Sequence, residues 1–176
     1  MAITYNLIST ITVGSGGAAT IAFTSIPATY TDLKVVLSAR STAGAAVAYS
    51  IFMKMNSLTS SIYSSKALEG DGTAASSFSE SGIDTAVRVG LLNGTGATAS
   101  VFSSTEIYIP NYAGATNKSV SINTVSETNA TTIYSNLFAY LVASTAAITD
   151  LTFSPQSGTT SFAEHSSASL YGIKNT

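Results

Sequence analysis

Residues 106–127 read EIYIPNYAGATNKSVSINTVSE, and the fold class turns on them. Glu106, Ile107, Tyr108 and Ile109 form an alternating run that stops at Pro110. Ser119, Val120, Ser121, Ile122 and Asn123 form a second. Alternation of period two marks a half-buried strand, because successive side chains point to opposite faces of a sheet. Pro110 has no amide hydrogen to give to a ladder and belongs at a strand end or edge. The connection from Asn111 to Lys118 is too long for a two-residue hairpin turn and reads as a loop. The stretch predicts one antiparallel unit with an apolar inner face and an outer face of Ser, Thr and Asn.

The same pattern extends in both directions. Strands are predicted at Leu7–Val13, Thr20–Ile26, Tyr30–Arg40, Tyr49–Asn56, Ile62–Leu68, Thr85–Leu92, Val101–Ile109, Ile148–Phe153 and Ser166–Ile173. Clusters of Gly, Pro, Asn and Asp separate them. Within Tyr30–Arg40, Leu33, Val35, Leu37 and Ala39 are expected to face in. Asp32, Lys34, Ser38 and Arg40 are expected to face out with Val36. Ser41–Ala46 reads as a small-residue loop and Thr73–Asp84 as a long polar loop. Ile133–Ala143 (IYSNLFAYLVA) is apolar on both faces, which fits a fully buried strand or a helical stretch. Its aromatic and β-branched content favours the strand. Ala146–Ile148 has room for a short helical turn, and residues 155–158 read as a turn. About ten short strands with regular turn signals point to a sandwich or barrel. The expectation is an all-β protein, an antiparallel β-sandwich of jelly-roll type, with residues 1–176 as a single domain. The closing strand should pair beside an early one, as jelly rolls and Greek keys do.

Composition narrows the function classes. The chain has 176 residues, enough for a core without staples. It has no Cys, which excludes disulfides and thiolate sites. Only 9% of residues are charged, against roughly 25% in ordinary globular chains. Hydroxyls replace the charges, with 29 Ser and 25 Thr. A surface of hydroxyls and methyls desolvates easily, because a hydroxyl that keeps a hydrogen bond is buried at little cost. That suits contact with copies of the chain or with a large partner; a weakly charged soluble surface is the plainer alternative. The net charge is −2 and the seven basic residues are scattered singly, whereas a nucleic-acid surface needs them concentrated. No apolar run approaches a membrane span. The N-terminal sequence lacks the pattern of a signal peptide, so folding in the cytoplasm is expected.

Candidate chemistry is thin. His165 is the only histidine, between Glu164 and Ser166. No Gly-x-Ser-x-Gly elbow places a nucleophile for it, so it reads as an exposed histidine at a strand entry. One His and no Cys leave only oxygen ligands, hence calcium or magnesium. Glu69, Asp71 and Thr73 alternate in a Gly-punctuated loop that could present them; solvated turn residues are the plainer reading. Glu106 and Glu127 would approach each other if their strands pair, yet no acid pair across a cleft is identifiable. Gly14–Gly17 is not followed by the Lys-Ser/Thr of a phosphate loop. The sequons at Asn93, Asn117 and Asn129 are expected by chance in so Ser/Thr-rich a chain. No catalytic residue, metal or cofactor is therefore predicted. Tyr108, Tyr112, Tyr134 and Tyr140 cluster about the central unit. Tyrosines there serve as core or subunit contacts, or stack on sugars from an outer face. Tyr112, with Asn111 and Asn117, is the candidate partner or glycan contact.

Several stretches together resemble a family of virion structural proteins of tailed phages. They are residues 23–33 (FTSIPATYTDL), 37–41 (LSARS), 106–112 (EIYIPNY) with 116–119 (TNKS), 125–130 (VSETNA) and 168–174 (ASLYGIK). The resemblance spans nearly the whole chain, in order. The sequence departs mildly from such proteins at a place near the middle where they often carry a Trp or Arg. The resemblance implies a small β-sandwich displayed in many copies on a phage particle, made in the host cytoplasm and located in the virion. A capsid decoration (cement) protein bound to the major capsid protein is the leading expectation. A tail, neck or fibre-tip module recognising host glycan is the alternative. Either implies a homo-oligomer, with a trimer expected because shells and fibres offer three-fold sites. The family pattern carries no catalytic residue.

Overall fold

Alternation along the sequence becomes two stacked sheets. The computed structural model describes residues 3–42, 46–60, 62–83, 86–127, 133–156 and 160–175. Among these there are twelve strands and no helix. They are β1 (Ile3–Thr12), β2 (Ile21–Phe23), β3 (Asp32–Ala39), β4 (Ala48–Met55), β5 (Tyr63–Gly70) and β6 (Ala75–Ile83). There follow β7 (Val87–Asn93), β8 (Ser103–Pro110), β9 (Lys118–Glu127), β10 (Ile133–Val142), β11 (Leu151–Pro155) and β12 (Ser167–Asn175). An eight-stranded sheet has the order β1-β12-β3-β8-β9-β10-β5-β6, and a four-stranded sheet has the order β2-β11-β4-β7. The paired strands run antiparallel. This is the expected antiparallel β-sandwich. The strand order establishes the two layers and stops short of the jelly-roll wiring, which asks for two Greek keys.

The central unit forms as its alternation predicts. β8 pairs with β9 so that Ile107 lies opposite Ile122 and Glu106 opposite Asn123. Ile107, Ile109, Val120 and Ile122 are buried on the inner face, each contributing about 1.5–3 kcal/mol by leaving water. β3 flanks β8, with Leu33, Val35, Leu37 and Ala39 buried as expected. The closing strand β12 pairs with β1 and β3, beside early strands as predicted. The small sheet faces this layer with Ile21, Phe23, Ile51, Met53, Leu151 and Phe153, all buried. Phe23 and Phe153 meet edge to face, 6.5 Å apart.

Four expectations are corrected. Residues 75–83 are strand β6, not part of a polar loop. The stretch ASSFSESGI has one large aromatic to bury, Phe78, and it becomes a strand by pairing with β5, where Phe78 lies opposite Ala67. No helical turn forms at 146–148; Asn56 donates its side-chain amide to the Ala147 carbonyl (2.7 Å), and Ile148 N–H bonds the Tyr112 carbonyl (3.0 Å). β10 is a strand, as favoured, but one of its faces is bare rather than buried. Asp32, expected to face solvent, is only 5% exposed. Its carboxylate accepts the Tyr108 hydroxyl (2.7 Å) and the Asn111 N–H (2.9 Å). The small-residue loop falls partly on residues 43–45 and the 155–158 turn on residues 157–158, outside the described residues.

The sheets come closest where β7 crosses β9. The β4–β7 register shifts at Ile51/Phe52, and Gly90 there has φ +147°. A Cβ on Gly90 would lie 2.5 Å from Thr124 Oγ1. Thr124 cannot yield freely, since its hydroxyl bonds that of Thr105 (2.8 Å) within the core. Gly90→Ala is expected to lower unfolding free energy by about 1–3 kcal/mol, from strain and overpacking together. Gly14→Ala, where nothing lies within 4 Å, should change it by less than about 0.5 kcal/mol. Urea unfolding of the two variants checks the difference.

Candidate interaction face

The residues singled out in the sequence do not converge on one site. Tyr112 lies at one end of the sandwich and is 0% exposed. Its hydroxyl donates to the Pro27 carbonyl and accepts the Tyr30 N–H (3.4 Å). Burial pushes its phenol up from the ordinary tyrosine value. A buried ring whose hydroxyl is engaged offers no face to a sugar, so Tyr112 is a core residue and not a glycan or partner contact. Asn111 and Asn117 do reach solvent on the same loop. Asn111 adopts a left-handed backbone (φ 48°), a conformation Asn tolerates well.

The other candidates are likewise held by the fold. His165 is exposed, and its N–H bonds the Val13 carbonyl (2.9 Å). The neighbouring Ser166 is buried, its hydroxyl bonded to the Arg40 N–H (3.1 Å) and carbonyl (3.3 Å). Glu69 points to Arg88 (3.0 Å) and Asn136 (2.8 Å) rather than joining Asp71. Asp71 Oδ1 accepts the Ala74 N–H (2.7 Å), the Thr73 N–H (2.8 Å) and the Thr73 hydroxyl (2.8 Å). No cluster of three or more His, Cys, Asp or Glu suited to a metal occurs among the described residues. Glu106 pairs with Lys34 (2.9 Å), and Glu127 accepts the Thr98 N–H (2.6 Å). The register sets Asn123, not Glu127, opposite Glu106. The acids therefore stand about four residues, roughly 13 Å, apart along the ladder. Asn93, in the first sequon, is buried.

Two basic residues hidden in the scattered charge pattern prove structural. Lys118 is 1% exposed. Its ammonium donates to the carbonyls of Gly114 (2.7 Å), Thr116 and Ser144 (3.4 Å), closing the 111–117 loop. Desolvation lowers its pKa. Arg40 donates to the carbonyls of Thr98 (2.7 Å), Val101 (2.8 Å) and Ala97 (3.3 Å), holding the β7–β8 connection. Arg40 shows no local signal because its carbonyls come from the 97–101 connection, and Lys118 bonds two carbonyls of its own loop but is completed by Ser144 from elsewhere.

What does converge is a surface. The outer side of the eight-stranded sheet carries Ile3, Tyr5 and Leu7 from β1 and Tyr108 from β8. Val125 follows from β9, then Ile133, Leu137 and Leu141 from β10, and Leu68 from β5. Leu68 is 59% exposed and Leu137 51%, and the two lie opposite each other. Among the described residues, every exposed large hydrophobic side chain lies on this one face. The outer side of the small sheet makes the contrast: Ser50, Lys54, Thr152 and Ser154 stand there with half-buried Phe52. Exposed apolar side chains gathered on one face point to an interaction surface, whereas ones scattered singly over a molecule do not.

The face is pitted. Between Leu68, Leu137 and Lys66, the small residues Ser77, Ser121 and Ala139 line a depression of about 590 Å³. A second, of about 300 Å³, lies among Tyr5, Lys34, Glu106, Tyr108 and Asn123. Tyr108 is pushed up to about 12, by burial first and then by its hydrogen bond to Asp32. It stays a neutral donor through the physiological range.

Asp71 supplies a pH signature. The Ala74 N–H, then the Thr73 N–H and hydroxyl, lower its pKa from 3.8 to about 2. A depressed carboxylate adds stability above its unfolded value and loses it as pH falls through the folded one. Asp71→Ala should therefore flatten the stability profile between pH 4 and 2 without changing its shape near neutrality. Thermal unfolding across that range tests this.

No family model matches the chain, and neither curated proteins nor solved structures give a match to it.

Proposed function

We propose that this chain is a structural protein of a tailed-phage particle, decorating the outside of the capsid. The observation that carries a structural and adhesive role is the concentration of exposed apolar side chains on one open sheet face. The sequence resemblance supplies the particle. In this reading the protein acts in many copies, as a homo-oligomer with three-fold symmetry expected, and contacts the major capsid protein or other virion proteins. Low surface charge and abundant hydroxyls allow close contact at small desolvation cost. Weak contacts repeated over a shell sum to firm attachment, because each further engagement is intramolecular. The reading assigns no chemistry to His165 and needs no cofactor.

A second reading, a tail, neck or fibre-tip module for host glycan, is favoured by two tyrosines other than Tyr112, the contact residue the sequence suggested. Tyr5 and Tyr108 are exposed beside Lys34, Glu106 and Asn123 in the smaller depression. That combination of rings and hydrogen-bonding groups suits a sugar.

Quantitative mass spectrometry of virions against the major capsid protein separates the two. Decoration predicts copies in the hundreds on the order of the shell's own subunits, and co-sedimentation of purified protein with empty capsids. Absence from virions together with no capsid affinity would sink the decoration reading. A few dozen copies or fewer, with glycan-array binding lost in Tyr5→Ala and Tyr108→Ala, would put the glycan module in its place.

A further inference from the structure

We infer that the outer face of the eight-stranded sheet docks against the same face of a further copy of this chain. The inference shares with the proposed function only the expectation of an oligomer; it does not depend on the particle. Area is the first argument. Eight strands spaced at about 4.8 Å, with about eight residues each rising about 3.3 Å, present roughly 900 Å². A stable interface takes about 800 Å² from each partner. The face thus has the extent one subunit contributes, without help from edges or loops.

Charge is the second. The Lys34–Glu106 pair neutralises itself across 2.9 Å, and Lys66 is held by the Ser79 hydroxyl at 2.6 Å. Asp32 is buried and bonded to Tyr108 and Asn111. A partner of strong opposite charge would find little to recognise here, whereas a copy of the same face, offset so that the two Lys66 side chains do not meet, encounters little repulsion.

Relief is the third. Leu68 and Leu137 project beside the depression lined by Ser77, Ser121 and Ala139. Projections and hollows of side-chain size lie next to one another on a single surface. Two such surfaces, slightly offset, seat the leucines of each in the hollows of the other, as the inner faces of a sandwich interdigitate. A patch that fits itself gives an isologous contact, which pairs two copies; a three-fold assembly would be built through a different surface.

Sedimentation velocity and light scattering on the purified chain test the inference. A mass of at least twice 17.9 kDa is expected at micromolar concentration. Leu137→Glu and Leu68→Glu change exposed side chains and should leave the circular dichroism spectrum unchanged. Each should weaken association at least tenfold, and together they should give a single-copy mass. Thr152→Glu, on the outer side of the small sheet, should leave association intact. A single-copy mass for the wild-type chain at tens of micromolar overturns the inference, as does an oligomer that both leucine variants leave whole. A monomer that binds empty capsids, or glycan through Tyr5, also overturns it, while leaving the corresponding reading of function standing. An oligomer sensitive to both leucines upholds it, even where the protein is absent from virions.

Discussion

The sandwich depends on how closely β7 approaches β9. Gly90 removes the side chain that would otherwise strike Thr124, and Thr124 keeps its hydroxyl satisfied on Thr105. Thr124 can then meet β7 with its own hydroxyl paired, where an unpaired one would cost more than the contact gains. The four strands of the small sheet cover only part of the eight facing them. Near β5 and β6 the core is completed by other means. The Arg88 guanidinium lies 5.8 Å from the Phe78 ring centre and 5.7 Å from that of Phe138, while it pairs with Glu69. Asn136 adds a hydrogen bond to the same carboxylate. A charged group packed against a pair of touching rings, with its counter-ion at hand, replaces the hydrocarbon that a wider second sheet would have supplied.

Elements whose alternation is local were legible. β3, β8 and β9 could be read from their alternation, because Leu, Val and Ala fill the inner face of β3 while Ile107, Ile109, Val120 and Ile122 mark the inner faces of β8 and β9; the buried Thr105, Thr124 and Ser126 on those faces carry no such signal. β6 was not legible: its sequence offers Phe78 amid Ser and Gly, so pairing with β5 decides it rather than any pattern of its own. Tyr112 and Lys118 show the limit at loops. An aromatic and a lysine in a Gly/Asn-rich connection look solvent-facing. Both are buried because Pro27, Tyr30 and Ser144 arrive from distant parts of the chain. Of the candidate site, Asn111 and Asn117 lie where a contact residue must, on the surface; Tyr112 does not.

The interaction face was written in the sequence but under another meaning. IYSNLFAYLVA is apolar on both sides, and the simplest account of such a strand is burial on both. The structure satisfies one side only: Phe138, Tyr140 and Val142 are buried, while Ile133, Leu137 and Leu141 are bare. Two-sided hydrophobicity therefore had two physical outcomes, cover by the same chain or cover by another, and periodicity cannot separate them. Strand position can. β10 lies inside its sheet, between β9 and β5, so its ladder is complete and only its outer side remains to be covered.

That leaves the chain's composition to be understood as one design with two parts. Leucine and isoleucine in open water weaken solubility, and a chain with 9% charged residues has little repulsion to offset them. The small sheet's outer side, with Ser, Thr and Lys, meets water on ordinary terms. The large sheet's outer side does not, and small neutral polar groups are interleaved with its apolar ones: Ser119, Ser121 and Asn123 on β9 lie opposite Leu141, Ala139 and Leu137 on β10. Hydroxyls in that position can exchange a water for a partner's hydroxyl or carbonyl at almost no net cost, whereas lysine or glutamate would resist the exchange. Low charge and exposed leucine are separately unfavourable for a free monomer. Together on one sheet face they lower the cost of closing it against another surface.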